Sequence, residues 1–112
     1  MLDKRIIAIA IYGTIFMTMF FGAISFAHTT CCGSMYPAIH NGDYEIMTDI
    51  IGQNLVGHIV VYQAPWCNCT PMHRVIAQNG NMIEIKGDNN SIADGWFNRS
   101  VVKDEVIMVI HV

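Results

Sequence analysis

The chain has 112 residues and a net charge of −3, enough for one small domain. Beyond residue 26 it carries Arg74, Lys86, Arg99 and Lys103 against Asp43, Glu45, Asp49, Glu84, Asp88, Asp94, Asp104 and Glu105. That mildly acidic balance, without a basic stripe, excludes nucleic acid as a partner class.

Ile6 to Phe26 is an uncharged apolar run of 21 residues. As a helix it would reach about 30 Å, the thickness of a bilayer's hydrocarbon core. The run predicts a transmembrane anchor over 6–26, with residues 1–5 cytoplasmic because Lys4 and Arg5 flank its start. A cleaved signal peptide ending near Ser25-Phe26-Ala27 is the competing reading, although the run exceeds the usual h-region of about 7–15 residues. Both readings put residues 27–112 on the exterior or lumenal side of a membrane, in contact with the lipid bilayer.

Pro37, Asn41-Gly42-Asp43 and Asn79-Gly80-Asn81 mark loops and turns. Between them, Tyr44–Met47, His58–Tyr62, Met72–Gln78 and Met82–Lys86 read as strands, and Val101-Val102 and Val106–Val112 supply the last ones. Helical periodicity is absent after the apolar run. The expected fold is mainly β: one N-terminal transmembrane helix, then a small antiparallel sheet or partial barrel. Trp66, Trp96 and Phe97 are expected in the core, with the membrane interface as the other location that suits tryptophan.

Cys31-Cys32 and Cys67, Cys69 form two tight groups. An oxidising compartment favours disulfides, expected here between one group and the other. A four-cysteine zinc site is the alternative, although structural zinc usually has two to four residues between paired cysteines. Buried thiols are the third.

Ser34, in Gly33-Ser34-Met35, is by itself an ordinary loop serine; it becomes a nucleophile only beside a base. His73 offers one, because imidazole is largely neutral near pH 7 and can take and return a proton. It could equally be a half-buried histidine satisfied by backbone. His28, His40, His58 and His111 lack comparable surroundings. Asp88 and Asp94 could orient the imidazole, or could belong simply to polar turns.

The ordered set Gly-Ser-Met-x-Pro, Asn-Gly-Asp, Gly-x-Ile-Val-Val-Tyr, His-Arg-Val-Ile and Lys-Gly-Asp-Asn-Asn, followed by Asp94, resembles type I signal peptidase. It is similar to the archaeal and endoplasmic-reticulum form, where histidine replaces a lysine base. The resemblance implies a membrane-anchored serine endopeptidase that removes signal peptides from secretory or membrane precursors and needs no cofactor or metal. Signal peptides are its implied partners, with the secretion translocon a further one. Ser34 is then the nucleophile, His73 the general base, and Asp88 and Asp94 the two acidic residues of the family's site.

The resemblance assigns the oxyanion hole to the backbone N–H of Ser34. The family's first motif serine is Cys32 here, and a thiol is a weak donor. His58 replaces an aspartate of the family pattern. A non-catalytic subunit that binds signal peptides, and a processing protease for a narrow pilin-like or viral substrate, are the remaining readings. Self-cleavage near Ala27 would also be open to such an enzyme.

Overall fold

The short apolar alternations of this sequence build strands, and their pairing is described by a computed structural model covering residues 4–5, 24–29 and 33–112. Among the described residues seven strands follow in chain order: β1 Ile24–His28, β2 Tyr44–Thr48, β3 Ile59–Tyr62, β4 Met72–Asn79, β5 Met82–Lys86, β6 Gly95–Asn98 and β7 Val102–Ile110. They form one antiparallel sheet in the order β1-β2-β7-β3-β4-β5-β6. The edge strands β1 and β6 do not pair with each other, so the sheet is open. Its ladder slips at Ile46/Met47, Val61/Tyr62 and Val75/Ala77. Bulges of this kind bend and twist a sheet.

Alternation explains β2 and β5, where every second residue is buried. β3 departs from it because both of its faces are covered, one by the cluster that takes Val60 and Tyr62 and the other by the cluster that takes Ile59. Val60 and Tyr62 join Leu55, Val75, Ile83 and Ile85 in the larger apolar cluster. Ile59 instead packs with Met35 and Ile39 in a smaller cluster on the loop that precedes β2. That second cluster seats the loop carrying Ser34 on the sheet.

Ile83 is a fully buried member of the larger cluster. Ile83→Ala should lower the unfolding free energy by roughly 2–5 kcal/mol, the usual range for truncating a buried aliphatic side chain. Denaturant unfolding of the purified chain measures this.

Several expectations are corrected. The end of the apolar run, Ile24 to Phe26, is not helix but part of β1, with Ile24 opposite Thr48 and Phe26 opposite Ile46. Alternating exposure along Ile24–His28 and hydrogen bonding to β2 account for the change. The rest of the expected anchor, residues 6–23, lies outside the described residues, and no helix among those described is long and apolar enough to cross a membrane. The two expected C-terminal strands are one continuous β7.

Gly95 begins β6, a strand not expected from the sequence, so Trp96 and Phe97 extend the sheet. Phe97 packs on the core, whereas Trp66 and Trp96 are about half exposed. The cysteine pairing also differs: Cys67 is bonded to Cys69 within one loop, their Cα atoms 5.2 Å apart. This closes a local ring and takes both sulfurs away from any bridge to Cys31 or Cys32, which lie outside the described residues.

Candidate active site

The site draws on four segments that are distant in sequence. Ser34 lies on the loop between β1 and β2, Tyr62 ends β3, His73 is the second residue of β4, and Asp94 immediately precedes β6. Pairing of β3 with β4 puts His73 opposite Val60. The Asp94 N–H donates to the Ile85 carbonyl at 2.7 Å, which ties the approach to β6 onto β5.

These placements bring three polar side chains into one line. Ser34 Oγ is 3.1 Å from His73 Nε2, and His73 Nδ1 is 2.5 Å from Asp94 Oδ2. The His73 and Asp94 side chains are only 12% and 9% exposed, so little water competes for either contact. An imidazole bridging a hydroxyl and a carboxylate can accept the hydroxyl proton on one nitrogen while the carboxylate holds the other N–H and stabilises the imidazolium that forms.

Tyr62 completes this line, although from sequence it is only a strand residue. It is fully buried, and its hydroxyl donates to Asp94 Oδ2 at 2.5 Å. Burial, then the hydrogen bond to Asp94 and its charge, hold the phenol well above the usual tyrosine range. Tyr62 therefore stays protonated and remains a donor. A hydroxyl in an otherwise apolar buried strand needs a partner, and that was the available sequence signal.

Asp88 takes a different position. Both of its oxygens accept from the Arg74 guanidinium, each at 2.8 Å, in a two-point pair that raises the Arg74 pKa. Asp94, not Asp88, is the carboxylate against His73.

The rest of Gly87-Asp88-Asn89-Asn90 clasps the serine loop. The Asn89 N–H donates to the Ser34 carbonyl at 2.8 Å, and Asn89 Nδ2 to the Gly33 carbonyl at 3.2 Å. A Cβ at Gly87 would fall 2.9 Å from the Ser34 carbonyl oxygen, so this approach requires glycine. Gly33 itself has φ +61°, a left-handed conformation that sets the direction of the chain into Ser34.

Beside Ser34 and His73 opens a cavity of about 390 Å³, walled largely by Met35, Ile39, Pro71 and Met72. Its polar edge includes Thr29 and Thr70. These wall residues were not singled out from sequence, because they come from separate loops and strands. Cys32 lies outside the described residues. His58, the departure from the family pattern, pairs through Nδ1 with Glu105 on β7.

No family model matches the chain. Among curated proteins, it is 36% identical over 66 residues to the signal peptidase complex catalytic subunit SEC11 of Scheffersomyces stipitis, a match covering 55% of this chain and 40% of that protein. The proteins of the same name from Candida albicans and Candida dubliniensis match with the same identity and coverage. The chain thus matches these relatives over less than half of their length.

Proposed function

We propose that this chain, a member of the type I signal peptidase family in its endoplasmic-reticulum form, is a serine endopeptidase that removes signal peptides from secretory or membrane precursors. The observation that carries the reading is the line Ser34 Oγ–His73 Nε2–His73 Nδ1–Asp94 Oδ2, with separations of 3.1 and 2.5 Å.

In this mechanism His73 Nε2 takes the Ser34 hydroxyl proton as Oγ attacks the scissile carbonyl. Asp94 holds the opposite N–H and stabilises the imidazolium. Collapse of the tetrahedral intermediate transfers the proton from His73 to the leaving amine and leaves the acyl group on Ser34. Water, activated by His73, then releases the signal peptide. The Ser34 N–H is the donor to the developing oxyanion. Such donors contribute about 2.7–4 kcal/mol each in acyl transfer. The apolar cavity beside Ser34 receives the small side chains that precede the cut. Asp88 acts indirectly, through Arg74 and the clasp on the serine loop.

A substrate that is itself membrane-bound needs the enzyme at the bilayer surface. The uncharged run before β1 serves as the anchor, and the sheet faces the exterior or lumenal side. Phe26, 70% exposed on β1, agrees with an apolar approach to lipid.

The direct test is a fluorogenic signal-peptide substrate incubated with the purified full chain in detergent or lipid. Cleavage after a small residue, identified by mass spectrometry, is expected. Tight binding of the peptide without cleavage would identify a non-catalytic binding subunit and overturn the proposal.

A further inference from the structure

We propose that His40, Asp43 and His111 form a binding site for a divalent metal ion of the zinc class. The site is separate from the line of Ser34, His73 and Asp94, and it does not depend on the protease reading.

The ladder brings the three residues together. Tyr44 of β2 lies opposite Ile110 of β7, so the next positions outward, Asp43 and His111, also face one another. His111 Nδ1 lies 2.5 Å from Asp43 Oδ2. His40 arrives through a tight turn in which its N–H donates to Asp43 Oδ2 at 2.9 Å and its carbonyl accepts from the Asp43 N–H at 3.1 Å. Gly42, at φ +93°, permits that turn. One ligand atom from each side chain falls within 4.8 Å of the other two.

Two imidazoles and a carboxylate are a donor set suited to zinc. Bond lengths of about 2.0–2.2 Å in a tetrahedral site separate ligand atoms by about 3.4 Å. Binding therefore moves His111 Nδ1 outward from its 2.5 Å contact with Asp43 and draws the wider pairs inward, and the histidines are free to adjust because both are exposed, the His111 side chain by 57%. Asp43, only 1% exposed, is the fixed member. Its other oxygen accepts from the Val112 N–H at 3.4 Å, a contact of the kind that orients a ligating carboxylate. A plain ion pair uses one imidazole. Here a second ring stands 5.2 Å from the first, centroid to centroid, over the same carboxylate. Three protein ligands leave a fourth position for water. The bound ion would fasten the end of β7 to the turn that follows Ser34.

The test uses the full chain without a polyhistidine tag, in detergent. Zn²⁺ affinity is read by competition with a chromophoric chelator, and site geometry by the visible absorption of bound Co²⁺. One equivalent should bind with a tetrahedral cobalt spectrum. His40→Ala and His111→Ala should each weaken binding at least about tenfold, with circular dichroism showing the sheet retained. His58→Ala, outside the site, should leave affinity unchanged. Absence of binding at micromolar Zn²⁺, or affinity unaltered in both site variants, overturns the proposal. So does a loss produced by His58→Ala instead. Because the readout is metal binding, none of these outcomes bears on peptide cleavage.

Discussion

Ser34→Ala and His73→Ala are each expected to lower kcat for precursor cleavage by about 10⁴–10⁶-fold, with the two losses far from additive when combined. The reason is geometric. Without His73, the Ser34 hydroxyl has no base at 3.1 Å to take its proton. Without Ser34, His73 has no nucleophile to activate. Once either is gone, removing the other takes away nothing further. On the proposed mechanism, what remains would be the contribution of the oxyanion donor and of substrate binding.

Both side chains sit at the rim of a cavity and outside the two apolar clusters. The variants should therefore fold, and KM should change much less than kcat. Single-turnover cleavage of a precursor, with denaturant unfolding as the control, measures each part. Retention of cleavage within about tenfold in the Ser34→Ala variant would remove Ser34 from the mechanism.

Asp94→Asn is expected to cost about 10⁴-fold in kcat with little change in KM. Asp94 Oδ2 receives two contacts, from His73 Nδ1 and from the Tyr62 hydroxyl, each at 2.5 Å. An amide can offer an N–H where the carboxylate offered only acceptors, which favours the wrong imidazole tautomer. Tyr62→Phe separates positioning from charge. It keeps the buried ring and the Asp94 carboxylate and removes one donor, so its loss in kcat should be far smaller, about tenfold. Equal losses in the two variants would show that Asp94 acts only as part of the packing around Tyr62. Steady-state kinetics of both variants on one precursor decides between these outcomes.

Much of the candidate site was legible because its residues sit in short ordered motifs. Ser34 and His73 were marked by motif order, and a carboxylate partner was expected from the run between Asp88 and Asp94. The choice between those aspartates was not legible. It depends on how the chain leaves β5: Asp88 meets Arg74 from β4, while Asp94 is carried on to the start of β6. Tyr62 was overlooked for a related reason, since a tyrosine in a β-rich strand reads as packing until its hydroxyl is seen to reach Asp94. The Cys67–Cys69 bond shows the limit of compartment reasoning, which bears on whether thiols oxidise but not on which sulfurs meet.

Alternation of apolar residues by itself determined that β2 and β5 are strands with one buried face, because side chains along a strand alternate between the faces of a sheet. The turn residues at 41–43 and 79–81 determined where the chain reverses, because glycine and asparagine enter conformations that other residues avoid. Only the tertiary structure decided that β3 lies between β7 and β4 with both faces covered, that Ile24–Phe26 pair with β2, and that His40, Asp43 and His111 converge. Those outcomes depend on which strands become neighbours. Neighbourhood is set by the joint burial of several segments, and no local stretch of sequence carries that information.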